Sequence, residues 1–260
     1  QSRSSAASDV YKRQQYMQYK CIICDYAVLM YNIPEGESVM YYAIIGDIKN
    51  SKDIENRYEV QEKLKHILNN VNSNYKDNIK ANFLITLGDE FQGLLSKSED
   101  ILEIVKYIQR EMYPIKLRFG IGVGEISTKI EKKAAIGADG PAFYAARQMI
   151  DFLREEEKHL RNQAPDIQVA FYNKESFIID EINMMLTLTK IIEDNWTDKQ
   201  RYTIWDMMLN GGSQEICAKR MKTSQSTIAR RLIDGKYLIY IKALKTIGEA
   251  MNRLGGNDDI

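Results

Sequence analysis

The sequence predicts an α+β protein in two parts, a ferredoxin-like antiparallel sheet with helices followed by an all-α domain carrying a helix-turn-helix. Three observations predict it. Between residues 40 and 172 the apolar patterns run strand, helix, strand, strand, helix, strand, which is the split βαβ order. Beyond residue 173 the patterning is helical only. The charge divides in the same region. From Asn195 to Ile260 there are eleven Lys or Arg against seven Asp or Glu, so this part carries +4 and the rest of a neutral chain carries −4. A basic module on a mildly acidic body is the charge layout of a grafted nucleic-acid-binding unit.

Each element has its own signal. Met40 opens a strongly apolar strand, Tyr41-Tyr42-Ala43-Ile44-Ile45, that runs to Asp47. Residues 54–72 read as an amphipathic helix with Tyr58, Val60, Leu64, Ile67, Leu68 and Val71 on one side. Two short apolar runs, 83–87 and 91–95, are split by Gly88-Asp89-Glu90 and read as a hairpin with a three-residue break. Residues 101–112 form a second helix that exits at Pro114. Residues 115–125 alternate apolar and small side chains like a strand. Residues 141–161 form a third helix, entered through Ala138-Asp139-Gly140-Pro141 with proline in the first turn. Asp139 stands where it can cap that helix or reach a bound nucleotide. Arg154 to Lys158 read as a charged, solvated helix face, and 168–172 as a last short strand. The domains expected are therefore 40–175 and 180–260.

Composition excludes several classes. No apolar run approaches the roughly 20 residues of a membrane helix, so no membrane partner is expected. Three cysteines, an odd number, argue against a secreted disulfide scaffold and for the cytoplasm. Residues 1–39 stand apart as a non-native or disordered leader. Gln1 to Gln14 resembles a translated adapter scar, no signal-peptide cleavage site follows, and Met40 reads as the natural start. Cys21 and Cys24 lie in this leader, and Cys217 alone cannot supply the second ligand pair of a zinc site. Gly120, Gly122 and Gly124 are spaced GxGxG rather than GxGxxG and open no helix. They are expected to let a helix or a partner chain pack closely on the strand.

Two strand ends carry the same dipeptide, Gly46-Asp47 and Gly88-Asp89. In a ferredoxin-like sheet the first strand lies beside the hairpin, so both carboxylates can reach one sheet edge. Two acids that close resist joint ionisation unless a divalent cation lies between them. Such a pair suits metal-assisted binding of a triphosphate, and glycine before each acid admits a phosphate or metal close to the backbone.

The segments IIGDIKNS (44–51), ITLGDEFQGLL (85–95), RFGIGVGEI (118–126) and IGADGPAFYAARQM (136–149) resemble the class III nucleotidyl cyclase domain and its relative named for the GGDEF hairpin, a palm-like fold. The span from Met40 onward resembles the SatD family of bacterial proteins. The cyclase resemblance implies two metal ions, Mg²⁺ or Mn²⁺, held by Asp47, the backbone carbonyl of Ile48, and Asp89. It also implies that Arg147 stabilises a transition state, contributed across a homodimer. Phe143 stands where the cyclases have asparagine, Ile85 where they have the adenine-reading lysine, and Leu87 where GGDEF has its first glycine. Adenylyl cyclase activity is therefore not expected.

Residues 214–232 (QEICAKRMKTSQSTIARRL) carry helix-turn-helix spacing. Ile216, Ala218 and Met221 are expected to face inward, Ser224 to cap a second helix, and Ile228 and Leu232 to pack back. Gln225, Ser226 and Thr227 are then placed to read base edges, and Arg230, Arg231 and Lys236 to meet phosphates. The stretch resembles units of bacterial transcription regulators and resolvases, with Lys222 where many place glycine. Trp205, Met207, Met208 and Cys217 read as packing residues. The leading expectation is a DNA-binding regulator whose other domain binds a nucleoside triphosphate with Mg²⁺. An active nucleotidyl cyclase or nucleotidyltransferase, working as a homodimer, and an inert adaptor are the alternatives.

Overall fold

Alternation of large and small side chains builds one five-stranded sheet from β1 (Tyr41–Ile48), β2 (Ile79–Leu87), β3 (Glu90–Leu95), β4 (Leu117–Gly124) and β5 (Ile167–Phe171). The computed structural model describes residues 39–132, 135 and 137–254. The leader up to Ser38, with Cys21 and Cys24, lies outside them. The strand order is β2-β3-β1-β4-β5. The first four strands pair antiparallel with two helices between them, which is the expected ferredoxin-like order. β5 pairs parallel to β4 and makes the sheet mixed. The chain travels from β4 to β5 through α3 (Pro141–Leu160), and such a crossover is what parallel neighbours require.

The two faces of the sheet are covered differently. Phe119, Ile121 and Val123 of β4 lie on the same face as Ile44 and Ile48 of β1 and Phe91 and Leu95 of β3. Two helices cover this face, α1 (Arg57–Asn74), through Leu64, Ile67, Leu68 and Val71, and α2 (Ile101–Met112), through Ile104, Val105 and Ile108. Each such side chain leaving water contributes roughly 1.5–3 kcal/mol. The opposite face is thin: Ala43, Ile45 and Leu94 meet Ala142, Phe143, Ala146 and Ile150 of α3. The glycines of β4 set that spacing. A Cβ on Gly120 would stand 2.2 Å from the carbonyl oxygen of Ala146, and one on Gly122 1.9 Å from that of Ala142. The GxGxG run is the seat of a helix.

Two boundaries differ from expectation. β2 begins at Ile79 rather than 83: Ile79-Lys80-Ala81-Asn82 extend the alternation, and the pairing with β3 is irregular between Ile79 and Leu84. The hairpin loop is Gly88-Asp89 alone, with Gly88 at φ +62°. Glycine in the first of two loop positions suits the tight turn that matches strand twist.

The helical part is α4 (Phe177–Asp194), α5 (Asp198–Asn210), α6 (Gln214–Arg220), α7 (Gln225–Asp234) and α8 (Tyr237–Arg253). Ile179, Ile182 and Leu186 of α4 and Ile247 and Met251 of α8 join the core under the sheet. A second core gathers Trp196, Ile204, Cys217, Ala218, Ile228, Leu232 and Tyr240. Trp196 donates from Nε1 to the carbonyl of Gly235 at 2.7 Å and meets Tyr240 edge-on, ring centroids 4.8 Å apart. From Val39 onward the chain is one compact unit. Cys217, not Ile216, faces inward: Ile216 is 49% exposed and Cys217 is buried, its thiol pushed up to about 11 by burial and by a bond to Asp206. Cys217 is thus a packing residue, as expected. Trp205 sits half-buried against Tyr113 and Tyr202.

Replacing Gly122 with Ala should lower stability by about 2 kcal/mol or more, since the backbone of α3 cannot move off the sheet without opening its core. Urea unfolding of the variant would measure it, with an unchanged m-value showing that the fold itself is retained.

Candidate functional site

The C-terminal end of β1 brings three polar side chains to the α3 face of the sheet. Asp47 stands opposite Glu90 of β3 on one side and Arg118 of β4 on the other. Cross-strand partners share a face, so these three lie in a row under α3. α3 contributes Arg147, Arg154 and Glu157, three or seven residues apart and therefore on one side of the helix.

These groups pair with alternating sign. Arg118 Nη1 donates to Asp47 Oδ2 at 2.7 Å, and Arg154 donates to the same oxygen from Nη2 at 3.1 Å and Nε at 3.2 Å. Arg118 also forms a two-pronged pair with Glu157, Nε to Oε1 at 3.0 Å and Nη2 to Oε2 at 2.5 Å. Lys49 bridges Glu157, at 2.5 Å, and Asp166. Arg147 clasps Glu90 with both terminal nitrogens, Nη2 to Oε1 at 2.7 Å. Asp47 is 3% exposed and Arg118 8%. Burial works against the charge of Arg118, but its bonds to Glu157 and Asp47 raise its affinity for its proton above the ordinary value. Burial likewise pushes the Glu157 carboxyl up, and the bonds from Arg118 and Lys49 outweigh it and hold the group below its ordinary range.

The residues expected to hold metal are placed apart in character. Asp47 is committed to two guanidinium groups. Asp89 sits on the hairpin turn, where its backbone oxygen accepts from Ile48 N at 3.2 Å, and its carboxylate has no bonded partner among the described residues. The acid facing Asp47 is Glu90, which belongs to Arg147. The two Gly-Asp dipeptides also differ. Gly46 makes room for the ring of Phe91, whose Cζ would lie 2.0 Å from an added Cβ, not for a phosphate. Gly88 supplies the turn. A two-metal centre needs carboxylates whose charge is not already neutralised, and here the positive charge beside Asp47 is built into β4 and α3. The donor set does not fit Mg²⁺ or Mn²⁺ at this position.

Arg154 and Glu157, expected to be a solvated face, are instead central to the row. Arg118, Lys49 and Asp166 gave no sign in the sequence beyond one arginine interrupting the small residues of β4. Phe143 is buried beneath α3. Asp139 does not cap α3: its carboxylate accepts from the Tyr144 hydroxyl at 2.7 Å, and the helix starts from Gly140.

In the C-terminal part, α6 and α7 are joined by residues 221–224. Ser224 caps α7 by accepting from Thr227 N, and Lys222 takes φ 51°, the left-handed conformation in which glycine is at ease. Gln225, Ser226, Arg230 and Lys236 are exposed. Thr227 is half-buried, its hydroxyl 2.8 Å from that of Ser224. Arg231 turns inward, donating to Thr203 Oγ1 at 3.3 Å.

Replacing Asp47 with Ala should cost about 2–3 kcal/mol of stability, less than the roughly 3–5 of a fully orphaned buried charge because Glu157 still holds Arg118. Replacing Asp89 with Ala should change stability by no more than about 0.5 kcal/mol. Denaturant unfolding of the two variants side by side tests this; equal losses would contradict the pairing.

No curated protein matches the chain. Among solved structures, a bacterial light-regulated adenylyl cyclase is similar at 12% identity and TM-score 0.38, over 52% of this chain and 77% of that one. The guanylyl cyclase Cya2 is similar at 15% identity and TM-score 0.32, over 45% and 72%. A regulator of polyketide synthase expression from Bifidobacterium adolescentis is similar at 12% identity and TM-score 0.24, over 82% and 86%. The family model described as the SatD family matches residues 41–251, most of the length of the compact unit, and the chain belongs to the SatD family.

Proposed function

We propose that the chain is a DNA-binding regulator: the α6–α7 pair meets duplex DNA, and the cyclase-like sheet domain binds a nucleotide that modulates it. The observation that carries the reading is the set of exposed groups on α7. Gln225, Ser226 and Arg230 line its outer side, with Lys222 and Lys236 at its two ends. Lys222, Arg230 and Lys236 have no ion-pair partner among the described residues. A helix that enters a major groove reads bases with the side chains of its first turns while flanking cations hold phosphates. The apolar side of α7, Ile228 and Leu232, is meanwhile locked into the second core, so the helix is presented rigidly.

A homodimer would present two such helices and read a two-fold site. No helix among the described residues is long and apolar enough to cross a membrane. Nucleotidyl cyclase activity is the less favoured reading, because Asp47 and Arg147 are each bound to a partner within the chain.

Binding to labelled duplex DNA, followed by fluorescence anisotropy across a salt series, tests the proposal. Log affinity should fall linearly with log salt. Arg230→Glu combined with Lys236→Glu should weaken binding by about tenfold or more and flatten the slope by about 0.9 for each phosphate no longer neutralised. Arg231→Ala should matter less. Affinity indifferent to salt, or unchanged in the double variant, would sink the reading.

A further inference from the structure

Beside the charged row, a cleft of about 1080 Å³ opens where the end of β1, the start of β4, the C-terminal half of α3 and Lys190 of α4 converge. Seven cationic and five carboxylate side chains line it, so the wall is net positive. Arg154, 42% exposed, reaches it from the rim while its guanidinium is oriented by Asp47. Lys116, 59% exposed, also lines it, 3.4 Å from Asp194. Arg161, exposed and just past the last turn of α3, has no ion-pair partner among the described residues. Asp47 and Asp194 bond four of these cations from just outside the lining, so what the cleft offers a ligand is the exposed N–H groups of Arg154, Arg161 and Lys116, which suit an anion.

We infer that this cleft binds the phosphate groups of a nucleoside triphosphate directly through Arg154, Arg161 and Lys116, with no divalent cation between protein and phosphate. The inference rests on the nucleotide-binding part of the proposed function and adds how the ligand is held. A guanidinium offers two parallel N–H groups in the plane of a phosphate edge, and such charge-assisted pairs are the strong ones. Asp47 is a positioning residue here. It fixes Arg118 and Arg154, and Glu157 braces Arg118 from the opposite side. Because the fixed carboxylate turns its charge toward these arginines, bound phosphate does not need Mg²⁺ to screen it from Asp47.

Calorimetric titration of the full chain with ATP, GTP and inorganic triphosphate, each in Mg²⁺ and again in EDTA, tests the inference. Affinity in EDTA should equal or exceed that in Mg²⁺. Arg154→Gln and, separately, Arg161→Gln should each weaken binding by about tenfold in both conditions. Arg161→Gln breaks no bond among the described residues, so its loss cannot be attributed to misfolding, and Arg154→Lys should restore only part of the affinity. Asp89→Asn should leave binding unchanged. Binding that appears only with Mg²⁺, or that Asp89→Asn abolishes, would overturn metal independence and leave the nucleotide reading standing. Binding of nucleotides but not of inorganic triphosphate, indifferent to both arginine variants, would place the ligand elsewhere and overturn the site. No binding of any triphosphate in either condition would overturn the inference and the nucleotide reading together.

Discussion

Arg118 is a buried cation held between two carboxylates of different elements, Asp47 on β1 and Glu157 on α3. Moving three charged groups out of water is unfavourable by itself, and their mutual attraction offsets it only where geometry is good and the remaining donors are used. Here all three nitrogens of Arg118 donate, to Asp47 and Glu157, and Arg154 adds two bonds to the Asp47 oxygen that Arg118 uses. What this arrangement contributes is definition. A one-residue slip of β1 against its neighbours would carry Asp47 to the face covered by α1 and α2, among Phe91 and Phe119, where no cation waits for it. The same slip would lift Ile45 out of contact with α3. The apolar alternation and the ion pairs therefore select the same register.

The helix above the row is fitted by two different chemistries along its length. Its first half lies on glycine and alanine: Ala142 and Ala146 sit directly over Gly122 and Gly120, with Ile150 following on the same side. Its second half continues that side with Arg154 and Glu157. Close approach in the first half makes the second half's bonds possible, because a helix held one methyl group farther from β4 would lift those charged groups off Asp47 and Arg118. From there the charged groups continue outward. Lys49 reaches Asp166 before β5, Lys190 and Lys116 share Asp194 at the end of α4, and Glu193 next to it joins Lys106 of α2 to the Tyr240 hydroxyl of α8 at 2.8 Å. The cleft and the C-terminal helices are thus connected through bonded side chains. For a ligand in the cleft to alter α7, it must favour a second arrangement of these bonds.

How much was legible in the sequence follows from how local each signal is. The order of the first four strands, the helix between β1 and β2, and a close packing partner on the β4 glycines were readable, since alternation and GxGxG spacing are properties of a few neighbouring residues. The parallel placement of β5 and the choice of α3 as that partner were not. Charged residues gave the opposite result. Arg154-Glu155-Glu156-Glu157-Lys158 has the composition of a solvated face, and nothing within those five positions distinguishes Glu157, which braces Arg118, from Glu155, which stays at the surface with Lys158. The partner that buries Glu157 lies 39 residues away. The repeated Gly-Asp misled for the same reason. Identical dipeptides at two strand ends suggested one shared task, yet Gly46 answers to a phenylalanine on the next strand and Gly88 to the turn angle. In α6 the helical spacing was sound but its phase was one residue off, since Cys217 is as acceptable inside as Ile216 and smaller, which lets α7 approach.

The basic excess of the C-terminal part narrows in the same way once partners are considered. Arg201 lies among the rings of Tyr113, Trp196 and Trp205, 4.8 to 5.7 Å from their centres, and donates to the carbonyl of Glu193 at 2.6 Å. Arg220 is spent on Asp206 and the carbonyl of Gly211, which tie α6 to α5. Arg231 faces Thr203 on the same helix α5. These three arginines hold the α5–α6–α7 unit together and fix it against α2 through Tyr113. Among the exposed cations with no ion-pair partner among the described residues, Lys222, Arg230 and Lys236 are the ones on α7 or flanking it. They sit at the start, middle and end of α7, so their spacing follows the helix axis, and a partner that matched all three would have to run alongside that helix as a groove wall does.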